Sequence, residues 1–292
     1  MIAYLDPLYR PPAEASSVIL QATYGCSYNE CTFCSMYTAK GFHTRSLDEL
    51  KSQIDILSQE EPDAKKVFLA DGDALVLETN FLLELLKYLQ KSFKRLRRVS
   101  LYATTQNIQN KTLNELEQLR ANKLSLIYIG IESGNDTVLS KINKGVTSND
   151  IIESLNKVSL ANIKISATVI LGIGGVVYSG LHAKASASII NKTTINYLST
   201  LQLGLDDMIK DKFYSCMPEY IALNDYDILQ EQRTFIEHIE PSNNVIFRSN
   251  HASNALHLKG TLPKDKNRLI QELDMANILK DEVIIPMKYR GF

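Results

Sequence analysis

The chain has 292 residues, with 32 Lys and Arg against 33 Asp and Glu, a net charge of -1, and 45% hydrophobic residues. That length suits a single α/β barrel domain, which runs to about 200–250 residues around one core. A balanced charge with no long basic block argues against a nucleic-acid partner. No apolar stretch approaches the ~18 residues of a membrane span. Residues 1–12 lack the basic start and apolar core of a secretory signal, so a reducing cytoplasm is the expected compartment.

In chain order, the apolar run at 18–21 predicts the first strand. A polar, tyrosine-containing loop follows, and it carries three of the four cysteines as Cys26-x4-Cys31-x2-Cys34. Ser46 with Glu49 three residues on is a capping-box signature, and Leu47, Leu50, Ile54 and Leu57 continue it at helical spacing. Residues 67–70 read as a buried strand, 81–93 as a helix carrying Leu82, Leu85, Leu86 and Leu89, and 99–103 as the next strand. The cluster Lys91, Lys94, Arg95, Arg97 and Arg98 is the solvated C-terminal end of that helix, where cations complement the dipole. Residues 113–119 are helical and 126–131 a strand; a helix at 151–160 has Ser148 as its cap. Residues 164–171 form a fifth strand, 181–190 a helix and 195–203 a sixth strand. Such alternation implies parallel strands with right-handed crossovers, as an open doubly wound sheet or as a barrel. Beyond it, 225–237 reads as a polar helix and 245–248 as a short strand.

Polar or glycine-rich segments sit just past four of these strands: the cysteine loop, Asp71-Gly72-Asp73, Glu132-Ser133-Gly134 and Gly172-Ile173-Gly174-Gly175. In parallel barrels that face carries the site. A [4Fe-4S] cluster normally takes four cysteines, so the compact triplet leaves one position open. A disulfide framework fails on count and context. A Cys3His zinc site completed by His43 stays open as a rival, separable by assaying iron with sulfide against zinc. Glu132, at the end of an apolar strand, needs a partner or a ligand to offset its burial. The glycine segment departs from the dinucleotide G-x-G-x-x-G pattern. The other three polar segments also read as ordinary turns and caps, with Asn135 and Asp136 capping a short helix.

The segment from Gly25 to Cys34 resembles the cluster loop of the radical S-adenosylmethionine (radical SAM) superfamily. It has four residues between the first two cysteines, where the family usually has three. Asp71-Gly72-Asp73 is similar to the family's Gly-Gly-Glu-like segment, with Asp73 in the glutamate's place and Asp71 in that of the first glycine. The run from Gly130 to Asp136, continuing to Gly145, resembles the Elongator, methylthiotransferase and coproporphyrinogen-dehydrogenase branches. The resemblance spans about residues 17–203. It implies a partial (β/α)6 TIM-like barrel over 17–205, after a lead-in at 1–16. A mainly helical C-terminal extension, 206–292, would cover the barrel mouth.

By the same resemblance, Cys26, Cys31 and Cys34 hold a [4Fe-4S] cluster whose open iron is chelated by S-adenosylmethionine. Phe33, Asp71, Gly72, Asp73, Thr104, Gln106, Glu132, Ser133, Gly172 and Gly174 would contact that cofactor. The implied chemistry is oxygen-sensitive. Electrons from a flavodoxin- or ferredoxin-like reductant cleave the sulfonium, and the resulting 5'-deoxyadenosyl radical takes hydrogen from a small-molecule substrate. His251, in the polar block 249–254, and the lone Cys216 are candidates for work on the substrate; a bonded turn that docks the extension and an inert thiol are the plain alternatives. No second cysteine cluster is present, and no appended cobalamin, acetyltransferase or RNA-binding module is expected. A coproporphyrinogen-dehydrogenase-like oxidoreductase stays open, as does an iron-sulfur or zinc scaffold that does not cleave the sulfonium.

Overall fold

The computed structural model describes residues 4–291. It divides into two compact units. The first holds the residues up to Asn29, Met36–Ile129 and Lys157–Ile165; the second holds Glu30–Ser35, Gly130–Asn156 and the chain from Ser166 onward.

In the first unit a 3-10 turn at Pro12–Glu14 precedes β1 (Val18–Gln21), β2 (Thr23–Tyr24) and β3 (His43–Thr44). Then come α1 (Leu47–Glu60), β4 (Lys66–Ala70), α2 (Thr79–Ser92), β5 (Arg98–Tyr102), α3 (Thr105–Gln109), α4 (Leu113–Ala121) and β6 (Leu124–Glu132), whose last residues pass into the second unit. β1, β4, β5 and β6 pair in that order, all parallel. Their register sets Leu20, Leu69, Leu101 and Ile127 in one row, all fully buried. The expected capping box opens α1, with Ser46 and Glu49 bonding reciprocally, and Leu50, Ile54 and Leu57 form its buried stripe. In α2 the buried stripe is Leu82, Leu85, Leu86 and Leu89, and each such side chain stabilises the unit by about 1.5–3 kcal/mol. Phe68, Tyr102 and Tyr128 meet edge to face. Beneath them lies Glu14, fully buried, which accepts hydrogen bonds from Tyr128 Oη and Arg98 Nη2, each at 2.6 Å.

The second unit contains α5 (Asp136–Lys141), most of α6 (Ser148–Leu160) and of β7 (Lys164–Leu171), α7 (Gly175–Asn191), β8 (Tyr197–Gln202), α8 (Asp207–Cys216), α9 (Asp225–Glu237), β9 (Val245–Ser249), β10 (Leu258–Leu262) and α10 (Lys266–Leu279). β7, β8 and β9 pair parallel, and β10 closes the run antiparallel to β9. Asn135 caps α5 as expected, accepting from Val138 N.

Three local expectations need correction. Thr147, not Ser148, caps α6: its hydroxyl accepts from Asp150 N while Asp150 Oδ2 accepts from Thr147 N, and Ser148 bonds instead to Asp136. The helix expected at 181–190 begins at Gly175. Its first turns were silent because Val176, Val177 and Leu181 are exposed, while small residues such as Ala183, Ser186 and Ala187 make the buried face. The segment from 206 onward is mainly helical and holds the expected short strand as β9, to which it adds the unforeseen β10.

Candidate active site

In the first unit, three loops at strand ends are tied together around carboxylates. Gly25, at φ +71°, donates its N–H to Asp71 Oδ2 and accepts from Gly72 N at 3.1 Å. Asp71 is a scaffold residue in this arrangement. It is fully buried and paired at 2.9 Å with the equally buried Lys40, and it also accepts from Gln21 Nε2. Gly72 has no room for a side chain: an added Cβ would stand 2.6 Å from the Tyr37 ring and 3.0 Å from Cys26 Cβ. The close approach seats Cys26 directly against the β4 loop.

Asp73 is the second carboxylate of this arrangement. It is fully buried, and its oxygens accept from Ser27 Oγ at 2.6 Å, Thr104 Oγ1 at 2.9 Å, Thr104 N at 3.3 Å and Asn107 Nδ2. Every one of these donors is neutral, and among the described residues Asp73 has no salt bridge. Burial pushes its carboxyl above the ordinary value, with the hydrogen bonds opposing. Thr104 also caps α3 through Asn107 N, and Gln106 lies half-buried on that helix.

In the second unit, the stretch Glu30–Ser35 is clamped by the turn after α5. Thr32 N donates to Ile142 O at 2.9 Å, and Glu30 O accepts from Asn143 Nδ2 and from Lys212 Nζ. Cys31, Phe33 and Cys34 on this stretch are half-buried. Lys144 is a second cation of the neighbourhood, paired with Glu132 at 3.1 Å. Burial works to lower the Lys144 ammonium, and Glu132 with the sulfurs of Cys31 and Cys34 more than offsets it, leaving the value raised. Glu132 stands at φ +62°, in the left-handed region, where a non-glycine residue is strained. Its carboxylate folds back over Gly130 so closely that a Cβ there would fall 1.7 Å from Oε1. The strain is offset by the ion pair it permits.

The next two strand ends are joined below the surface. Ser133 Oγ lies 2.8 Å from His182 Nδ1. His182 Nε2 in turn stands 3.8 Å from Glu231 Oε1, and Glu231 Oε1 accepts from Gly172 N at 2.6 Å. Gly172, at φ +79°, has its carbonyl bonded by Tyr220 Oη at 3.0 Å, and Ile228 fills the place of a Cβ. Gly174 is the residue before α7.

The remaining candidates have plain roles. His251 is exposed and bonds to Ser253 within its own turn. Asn254 of the same block holds Gln202 N, Thr200 O and Ser249 Oγ, each at 2.8 Å, so this segment is the bonded turn that docks on β8. Cys216 is an exposed thiol at the end of α8. His43 is exposed in β3. Residue-type reasoning passed over Lys40, Asn107, Lys144, His182 and Glu231. Only Lys144 gave a signal, by lying inside the segment that runs on from Glu132.

None of the four cysteines is in a disulfide. Among the described residues no three His, Cys, Asp or Glu side chains are drawn together as a formed metal site. The donor chemistry nevertheless fits an iron-sulfur cluster: three accessible thiols, two of them beside a cation that favours thiolate.

The family model described as the Radical SAM superfamily matches residues 20–183, more than half of the chain. Among solved structures, coproporphyrinogen III oxidase from Escherichia coli is similar at TM-score 0.53 and 16% identity over 76% of this chain and 52% of that one. Methylornithine synthase is similar at TM-score 0.52 and 12% identity, covering 89% and 81%. The hydrogenase maturase HydG from Carboxydothermus hydrogenoformans is similar at 0.51 and 16%, covering 88% and 56%. The chain spans about half the length of the HydG structures it matches. At such identities the likeness bears on fold, and it bears out the expected α/β partial TIM-like barrel. No curated protein matches the chain in sequence.

Proposed function

The chain belongs to the radical SAM superfamily, and from that premise we propose that it is an enzyme that cleaves S-adenosylmethionine to act on a small-molecule substrate, with Cys26, Cys31 and Cys34 as ligands of a [4Fe-4S] cluster. When bound, the cluster supplies one electron to the sulfonium, delivered by a ferredoxin- or flavodoxin-like protein. The chain's own residues bind, orient and shield. Gly72 brings Cys26 against the β4 loop, and the Ile142–Asn143 contacts fix the backbone on both sides of Cys31.

Asp73 is the observation that carries the reading. A buried carboxylate facing only neutral donors is costly, and an ammonium placed at its rim relieves that cost. The amino group of S-adenosylmethionine is such a cation, and Asp73 is its receptor. Ser133, Gly172 and Gly174 line the nucleoside side, with Phe33 against the adenine.

The test is anaerobic reconstitution with iron and sulfide, reduction, and addition of S-adenosylmethionine. 5'-Deoxyadenosine forms, and Cys31→Ala abolishes it. A fully loaded protein that binds S-adenosylmethionine and yields none, with candidate substrates present or absent, overturns the reading in favour of a metal-binding scaffold.

A further inference from the structure

Ser133, His182 and Glu231 are each at least 98% buried, and no part of the chemistry above uses the latter two. Their hydrogen bonds fix the protons. Among the described residues His182 Nδ1 is the one acceptor within reach of the buried Ser133 hydroxyl proton, Asn135 N–H being a donor to the same oxygen at 3.1 Å; with that proton on the Nδ1 contact, the neutral imidazole carries its hydrogen on Nε2. That Nε2 faces Glu231 Oε1 across 3.8 Å, beyond hydrogen-bond reach. Both Nε2 and Glu231 Oε2 are buried polar atoms without a hydrogen-bond partner. Such atoms are expensive to leave unpaired, and here they stand on facing side chains from α7 and α9.

We propose that His182 and Glu231 are positioning residues: ionised Glu231 draws in the His182 Nε2–H while gripping Gly172 N–H, and so brings Ser133 and the Gly172 turn into the geometry that receives S-adenosylmethionine. The extension beyond residue 206 thereby reaches back into the cofactor site. Three of its side chains, Glu231, Tyr220 and Ile228, define the N–H, the carbonyl and the Cα face of Gly172. A charged acceptor holds an amide more strongly than a neutral acid does, so the ionised form is the binding-competent one.

Burial pushes Glu231 up to about 7 and His182 down to about 4, so near neutrality the carboxyl is the group that changes charge. The Gly172 N–H and the Ser179 hydroxyl oppose the shift of Glu231, and the Ile170 carbonyl that of His182, without reversing either. Of the other titratable groups around it, Tyr220 faces Glu231 from the segment before α9, and burial raises that phenol far above neutrality. Asp274 of α10, which packs on α9, is held by Arg233 at 2.6 Å.

The S-adenosylmethionine arm of the test rests on the function proposed above, and a second arm does not. On the loaded enzyme, the dissociation constant for S-adenosylmethionine tightens on the order of tenfold from pH 6 to pH 8, the effect of a coupling of one pKa unit. Glu231→Gln, which keeps an acceptor for Gly172, removes that dependence and leaves the weaker value; Glu231→Ala binds more weakly still. In the metal-free protein labelled with ¹⁵N-histidine, the His182 Nε2–H signal shifts near pH 7 as Glu231 ionises, and stays fixed in Glu231→Gln. A wild-type pH profile in Glu231→Gln, or a His182 signal indifferent to pH and to that substitution, overturns the proposal. Loss of all S-adenosylmethionine binding with the histidine signal still titrating overturns the proposed function and leaves the His182–Glu231 pair standing.

Discussion

Replacing either member of the buried His182–Glu231 pair should unmask a pH dependence that the pair conceals. Glu231 moves from an ordinary 4.5 to about 7. Between those values the native protein keeps a proton that the unfolded chain has lost, so stability falls as pH rises, by about 1.4 kcal/mol per pH unit. His182 moves the other way, from 6.5 to about 4. Between those values the unfolded chain holds a proton that the native protein excludes, so stability rises with pH at the same rate. The two slopes cancel from pH 4.5 to pH 6.5 in the parent. In Glu231→Gln only the histidine slope remains, and stability climbs by roughly 2.7 kcal/mol across that window. In His182→Asn, whose amide oxygen can still accept from Ser133, it falls by roughly 2.7 kcal/mol. Urea unfolding of the metal-free protein, followed by far-ultraviolet circular dichroism at half-unit pH steps, measures this directly. Other groups, Asp73 among them, contribute equally to all three proteins and drop out when the parent curve is subtracted. Difference curves that stay flat for both variants would refute the opposed shifts and with them the buried environment argued for the pair.

Gly130→Ala places a Cβ 1.7 Å from Glu132 Oε1, which expels the carboxylate, strips Lys144 of its partner and costs on the order of 1–3 kcal/mol; iron and sulfide retained after desalting should fall, and full retention would count against the role of the ion pair. Gly72→Ala crowds Tyr37 and Cys26, the added Cβ meeting them at 2.6 and 3.0 Å, so cluster loading should drop and a thiol-reactive probe should find Cys26 more exposed. Asp73→Asn should keep its iron yet bind S-adenosylmethionine about ten- to a hundredfold more weakly, the scale of one charge-assisted hydrogen bond; unchanged affinity by calorimetry would dismiss Asp73 as the ammonium receptor. Lys40→Met leaves Asp71 buried and unpaired at a cost of about 3–5 kcal/mol in unfolding free energy, and the double change with Asp71→Leu should recover most of it. If the single substitution is silent, Asp71 is not the scaffold carboxylate described above.

Much of this protein is written locally. Residues close in sequence and governed by period or cap determined α1 with its Ser46–Glu49 box, the α2 stripe, the row of apolar strands, and the loops that carry Cys26, Cys31, Cys34, Asp73, Glu132 and Gly172. The roles of the carboxylates were decided by tertiary structure, because a carboxylate's task depends on its partner, and its partner is distant in sequence. Asp71 and Asp73 are two residues apart, yet one meets Lys40 and becomes scaffold while the other accepts hydrogen bonds from neutral donors alone. Glu231 sits in a helix that reads as polar surface, and only the packing of α9 against α7 buries it beside His182 and Gly172. Periodicity reports which face of an element is apolar. It is silent about the first turns of α7, where the apolar side chains are exposed, and about the burial that turns an ordinary glutamate into a titrating group near neutrality.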